Sequence, residues 1–401
     1  MSITGLTQPA DVVLEGPAGF KRALGATTEL SGLEPGSYVL RAKAVNERDA
    51  VAPVVFVPAQ AEQSIQVIAG QTTTAAVAYG ADPETGYVYL VSHVDPLPSV
   101  GPLRAYVRVF RAADWKTGGL KTPLNVAEIP DCRAGHLYLD HRDRLWVHCG
   151  SRSLTVDMRR FSLQSLRTQQ LPSPEVRLTM ARTQRVMVDR DRHLWSWDTG
   201  TSAVGVHADT DFEADSGVAP FPAPAMGFTR TSPHQPRFFL HDGSLLGWDV
   251  ATQSLGRYDA SLVKSMGPVQ VSTASAPTIN LGGGEFVHVD ETAIYVRYAQ
   301  QLYEFPLAAV RGDGGSIAPT RDLRVPDGLE ASVTFDSSMR YWSYAASRNT
   351  YVVLTPEQLS SDSGTVLTAA WEVSWPLVDP KEQYSLVMFY PPSYGQRYSG
   401  Q

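Results

Sequence analysis

The chain has 401 residues, a formal net charge of −7 and 43% hydrophobic residues, which is enough for a substantial core and more than one small domain needs. Its 34 Lys and Arg residues are scattered without a basic stripe, which argues against a nucleic-acid partner. No apolar run approaches the roughly 18 residues that a membrane-spanning helix requires. Met1 leads straight into Ser2-Ile3-Thr4-Gly5 without a basic-then-apolar leader. Either the protein is cytoplasmic or virion-borne, or an export signal, with or without a lipid anchor, has been removed. The 32 Gly and 28 Pro punctuate short apolar runs from end to end, an all-β pattern.

Residues 1–79 read as a small Ig-like β-sandwich. Strands are expected at Asp11–Glu15, Phe20–Leu24, Ser37–Val45, Val54–Val57, Ser64–Ile68 and Thr72–Tyr79. Alternation is clear in Tyr38-Val39-Leu40-Arg41-Ala42, and turns are signalled at Gly16-Pro17, Glu34-Pro35-Gly36 and Ala69-Gly70. The stretch Leu30-Ser31-Gly32-Leu33-Glu34-Pro35-Gly36-Ser37-Tyr38-Val39-Leu40-Arg41-Ala42 resembles the core of PEGA-type and carboxypeptidase-regulatory-like sandwiches. The later Ile65-Gln66-Val67-Ile68-Ala69-Gly70-Gln71-Thr72-Thr73 resembles their closing hairpin. That resemblance implies a spacer or adhesion module outside the cytoplasm, and no catalytic residues.

Gly80–Gly86 reads as the boundary to a second unit over residues 80–401. There a degenerate repeat recurs, clearest as Leu137-Tyr138-Leu139-Asp140-His141-Arg142-Asp143-Arg144-Leu145-Trp146-Val147 and Val186-Met187-Val188-Asp189-Arg190-Asp191-Arg192-His193-Leu194-Trp195-Ser196. Each copy is an apolar strand, a charged turn opening at Asp, and a strand with a Leu-Trp pair. Equivalent pairs are Val88-Tyr89, Leu245-Leu246, Ile294-Tyr295 and Tyr341-Trp342; successive steps are 57, 49, 51, 49 and 47 residues. Further strands are expected at Tyr106–Arg111, Val156–Ser162, Ala203–His207, Ser254–Asp259, Leu302–Pro306 and Tyr351–Leu354. A strand repeat of this period indicates a β-propeller, because a lone four-stranded blade cannot bury both of its faces. Six blades are expected, with Ala370–Trp375 and Ser385–Tyr390 adding a seventh or closing the ring. Trp146, Trp195, Trp248 and Trp342 are expected to pack between blades.

The phrase Val188-Asp189-Arg190-Asp191-Arg192-His193-Leu194-Trp195 resembles the repeat of NHL, lyase-type and SMP-30-like lactonase propellers. That family repeat carries a turn glycine. Both good copies here lack it, and only Asp242-Gly243-Ser244-Leu245-Leu246 keeps it. The motif describes blade geometry and implies no particular chemistry.

Candidate chemical groups are sparse. Cys132 and Cys149 flank the best repeat copy, so a cross-strand disulfide and a pair of buried thiols are both open, the former favouring an oxidising compartment. Asp209, Asp211, Glu213 and Asp215 alternate as Ca²⁺ ligands can, yet Ala214 and Pro220 stand where an EF-hand loop needs Gly and Glu; a solvated acidic loop is the other reading. The nine histidines show no zinc-type spacing, although His136 and His148 face each other if their strands form a hairpin. Ser261-Leu262-Val263-Lys264 and Gly282-Gly283-Gly284 lack the helix that nucleophile or phosphate motifs need.

The expected function is therefore a non-enzymatic cell-envelope or surface protein whose propeller binds a protein or glycan partner. A metal-dependent hydrolase, lactonase or lyase using the axial pocket and a structural virion or assembly component are the alternatives. Pro96–Pro102 and Asp209–Pro224 are the expected contact loops.

Overall fold

A computed structural model describes the chain except for residues 48–50, 95–102, 141, 151–154, 182–183, 190–191, 199–202, 209–211, 213–217, 221–225, 232, 241–242, 250, 253, 260–268, 272–273, 279–284, 291, 311–316, 330–332, 380–381 and 391–401. The architecture is all-β. In the N-terminal region one four-stranded sheet runs Lys21–Leu24, Asp11–Glu15, Gly36–Lys43, Glu62–Val67. A second runs Ser2–Thr4, Ala76–Ala81, Val55–Pro58, Val45–Asn46. Alternation places Tyr38, Leu40 and Ala42 in a core shared with Val77 and Tyr79 of the other sheet. The expected single strand Ser37–Val45 is broken at Ala44, because the chain leaves one sheet at Lys43 and enters the other at Val45. Gly16 is needed where it stands, since a Cβ there would lie 2.2 Å from the Tyr38 ring.

Among the described residues six further sheets, named I to VI here, belong to the β-propeller. From the inside outward, sheet I is Glu382–Tyr390, Tyr87–Val94, Arg104–Arg111 and Asn125–Pro130. Sheet II is Arg133–Leu139, Arg144–Gly150, Thr155–Ser162 and Val176–Ala181, and sheet III is Gln184–Val188, Leu194–Asp198, Ala203–Val206 and Met226–Arg230. Sheet IV is Gln235–Phe239, Leu245–Asp249, Ser254–Tyr258 and Ala274–Thr278. Sheet V is Glu285–Val289, Ala293–Tyr298, Gln301–Pro306 and Arg321–Arg324, and sheet VI is Val333–Phe335, Tyr341–Ala345, Thr350–Leu354 and Trp371–Ser374. Every expected Leu-Trp-type pair lies in a second strand, and each segment expected after it forms a third strand.

The C-terminal strand closes the ring. Trp371–Ser374 is the outer strand of sheet VI, and Glu382–Tyr390 pairs antiparallel with Tyr87–Val94, from Tyr390 opposite Tyr87 to Glu382 opposite Val94. Closure leaves the outer strands as edges, which left unpaired would be templates for aggregation. The connection from third to fourth strand covers them by reaching back to the preceding sheet. Val218–Pro220 pairs in parallel with sheet II, Val269–Val271 with sheet III, and Gly119–Leu120 with sheet VI. Val366 bridges to Arg324 of sheet V, and Glu128 of sheet I donates to the Gln170 carbonyl.

First-to-second and third-to-fourth connections share one end of the ring, here called proximal; the remaining connections share the distal end. The sandwich docks on the proximal end. Val51 and Ala52 are buried against Trp115, Trp342, Trp375 and Phe389, with Trp115 stacked 6.2 Å from Trp375. Ser337 donates to the Val51 carbonyl, and Lys116 pairs with Glu47 at 3.1 Å.

At the proximal turns the absence of glycine has a direct consequence. Asp143, Arg192 and Met339 hold φ of 59°, 64° and 58°, the conformation Gly243 adopts at 82° in sheet IV. Asp143 and Arg192 compensate by forming an ion pair with each other across sheets II and III. Ala299, exposed at φ 49° in the distal turn between the second and third strands of sheet V, has no such compensation in its side chain. Ala299→Gly should therefore raise stability by about 0.5–1 kcal/mol, since left-handed backbone costs an L-residue about 1–2 kcal/mol and glycine's added chain entropy returns part of that. Urea denaturation checks this, and a lower midpoint would contradict it.

Candidate functional site

The repeated Asp of the proximal turns is structural. Asp140 accepts from the Arg142 and Arg144 amides through Oδ1, and from Arg144 Nε at 2.8 Å and Trp146 Nε1 at 3.0 Å through Oδ2. Asp336 repeats this arrangement with Ser338, Arg340 and Trp342, and Asp189 repeats it with His193 and Trp195. Each carboxylate caps a turn and satisfies a buried indole, which leaves it little capacity for chemistry. The four tryptophans singled out in the sequence are all buried packing residues.

Buried arginines stitch neighbouring elements. Arg108, fully buried, donates to Ser92 Oγ at 2.8 Å and pairs with Glu382 at 2.8 Å, so it ties the closing strand into sheet I. Burial pushes the Glu382 carboxyl up, but hydrogen bonding and charge from Arg108 outweigh it and hold the group below the ordinary carboxylate value. Arg159, ion-paired with Asp157, donates to the Asp131 carbonyl in the link between sheets I and II. Arg297 of sheet V donates to Ser343 Oγ of sheet VI at 3.0 Å. In the link between sheets I and II, Cys132 is bonded to Cys149, with Cα atoms 4.8 Å apart, and Ala134 stands opposite Cys149.

Burial sets three histidines apart. Burial pushes His148, His207 and His288 each down to about 4, so all three are neutral at pH 7. His288 stacks on Phe335 at 4.5 Å, and neither ring nitrogen has a hydrogen-bond partner among the described residues. His136 does stand opposite His148 in the sheet II hairpin. Asp209, Asp211, Glu213 and Asp215 lie outside the described residues, as do Pro96–Pro102, Ser261–Lys264 and Gly282–Gly284. Among the described residues no three His, Cys, Asp or Glu side chains are placed to hold a metal ion.

One cluster at the distal end differs, because its polar groups run in series and all but the buried Asp249 remain accessible. Asp249 ends the second strand of sheet IV, Thr252 lies in the turn, Ser254 opens the third strand, and His234 precedes the inner strand. Thr252 Oγ1 donates to Asp249 Oδ2 at 2.6 Å, Ser254 Oγ lies 2.6 Å from Thr252 Oγ1, and His234 Nε2 lies 2.9 Å from Ser254 Oγ. Thr252 is exposed, while His234 and Ser254 are half-buried. Gly247 makes room for the histidine: a Cβ there would meet His234 Cβ at 2.9 Å and Tyr258 Cε2 at 3.0 Å. The His234 carbonyl is held by Tyr258 Oη at 2.6 Å and Arg230 Nη1 at 3.1 Å. Burial lowers the His234 ring below its ordinary value, and the Asp249 charge opposes that shift.

Sequence spacing could not expose this cluster. Gly247–Thr252 is visible as a repeat phrase, but nothing links it to His234, which arrives from the preceding connection.

No family model matches the chain, and no curated protein does. Among solved structures it is similar to virginiamycin B lyase from Staphylococcus aureus, with a TM-score of 0.33 at 11% identity over 68% of this chain and 85% of that one. A protein of unknown function from Bacteroides caccae gives a TM-score of 0.39 at 9% identity over 75% and 98%. Myxococcus xanthus glutaminyl cyclase gives 0.28 at 11% identity over 53% and 85%. These likenesses stop at the course of the backbone, and the propeller assignment stands on strand order and ring closure within this chain.

Proposed function

We propose that the chain is an extracytoplasmic surface protein in which the sandwich carries the propeller and the distal end binds a protein or glycan partner. The observation that carries this reading is the docking of Val51 and Ala52 in the proximal aromatic cluster, which directs the opposite end away from the sandwich. The Cys132–Cys149 bond supports an oxidising setting. Exposed Arg133 and Arg185 stand at the starts of the inner strands of sheets II and III at the distal end, as first and second residue respectively, and arginine is favoured where a partner presents carboxylate or sulfate. Among the described residues no helix is long and apolar enough to cross a membrane.

Arrays of acidic and neutral surface glycans, together with cross-linking on intact cells, test the reading. Arg133→Glu/Arg185→Glu should weaken capture about tenfold or more, whereas Arg41→Glu on the sandwich should leave it unchanged. Capture that follows the sandwich variant instead would overturn the reading.

A further inference from the structure

One face of sheet V carries a cross-strand row at its distal end. Tyr298 stands opposite Gln301, and Gln301 opposite Arg324, so the three side chains share that face. Val366 bridges to Arg324 and extends the row. Tyr298 is 45% exposed and Val366 64%, so exposed apolar surface closes both ends of a polar pair. The turn behind Tyr298 is pinned from two sides. The buried Arg297 guanidinium donates to the Ala299 carbonyl at 3.0 Å and to the Leu329 carbonyl at 2.8 Å. The Val325 amide donates to the Gln300 carbonyl at 2.8 Å. These bonds hold Ala299 in its left-handed conformation and fix residues 325–329 beside the turn. Asp327 lies in that segment and pairs with Arg324 at 3.5 Å, both groups being exposed. Strained backbone held in place by its surroundings is a mark of a surface pre-organised for a ligand.

We infer that this row is a subsite for a neutral disaccharide stretch of the glycan that the distal end binds; the inference rests on the partner-binding reading above. A pyranose has an apolar C–H face and a rim of hydroxyls. The Tyr298 ring offers a flat apolar surface to the first, at low conformational cost because its turn is already fixed. For the hydroxyls, Gln301 supplies amide donors and an acceptor, Arg324 planar donors and Asp327 acceptors. Such a mixed set suits sugar hydroxyls, because each both gives and takes hydrogen bonds. Neighbouring strands lie about 4.8 Å apart, so Tyr298 and Arg324 stand about 10 Å apart, room for two sugar rings. Charge selects a neutral sugar over an acidic one. Asp327 balances the Arg324 guanidinium, and Asp322, on the same face one row nearer the proximal end, adds a second carboxylate. A uronate or sulfate would meet more negative than positive charge here.

Capture of the intact protein on maltose, cellobiose, lactose and N,N′-diacetylchitobiose, each displayed multivalently, is the test. At least one should be bound, and Tyr298→Ala should lower that capture about tenfold or more, as loss of an aromatic anchor does. Tyr298→Phe should keep most of it, because the ring face remains. Arg324→Met should weaken it, because the hydroxyls lose their donors. These side chains are exposed, and melting curves show that each variant is folded. No capture of any of the four sugars, or capture that Tyr298→Ala leaves unchanged, overturns the subsite. The wider reading fails separately: it falls only if acidic glycans and cell-surface partners also go uncaptured by the wild-type protein.

Discussion

Glu382→Gln should cost about 3–5 kcal/mol of stability, a large part of what holds the chain folded. Both partners of the Arg108–Glu382 pair are fully excluded from solvent, so neutralising one strands a buried guanidinium. The carboxylate also receives the Ser92 hydroxyl at 2.8 Å and the Val378 and Asp379 amides at 2.7 and 2.9 Å, at the entry to the closing strand. Arg108→Met should cost a similar amount, whereas the double variant should cost clearly less than the two losses together, because neither charge is then left alone. The sign with pH follows from the lowered folded value of Glu382. Its contribution is complete above the ordinary carboxylate value and disappears as pH falls through the lower folded value. Urea titration by tryptophan fluorescence gives the magnitudes, and hydrogen exchange should show the 382–390 strand opening first. A loss under 1 kcal/mol for Glu382→Gln would mean that ring closure is held elsewhere.

Acid should unfold the protein well before ordinary carboxylate titration is complete. His148, His207 and His288 are held near 4 by burial, while in the unfolded chain each takes its proton near 6.5. Stability is therefore full above about pH 6.5 and falls as pH drops toward 4, because the unfolded state binds the protons first. Three such groups give a slope approaching about 4 kcal/mol per pH unit near pH 5. His288→Phe should flatten the slope by about a third and raise stability at neutral pH, since the ring stacks on Phe335 and neither nitrogen has a hydrogen-bond partner among the described residues. Urea midpoints at pH 7, 6 and 5 decide it, and a slope of one proton or less would contradict the burial of these rings.

Much of the propeller was legible because its second and third strands are where the pattern is strongest. Second strands such as Leu245–Asp249 and Tyr341–Ala345 are buried throughout and are dominated by large apolar residues. Inner strands such as Val333–Phe335 are short, so periodicity carries little weight there. The Cys132–Cys149 and His136–His148 relations were within reach because a single hairpin joins each pair, and hairpin register follows from turn length. The distal polar cluster was not, because His234 and Ser254 are brought together by two different connections.

By itself the sequence determined the all-β class and the strand repeat, since these depend on local turn chemistry and on apolar periodicity. Only the tertiary structure decided that the last strand closes the first sheet rather than starting a seventh. That outcome rests on backbone pairing and on one buried ion pair between residues 274 positions apart. The tertiary structure likewise decided which polar residues are spent on holding turns and which remain accessible. Burial and hydrogen-bond partnership are properties of the assembled ring, and no stretch of chain encodes them alone.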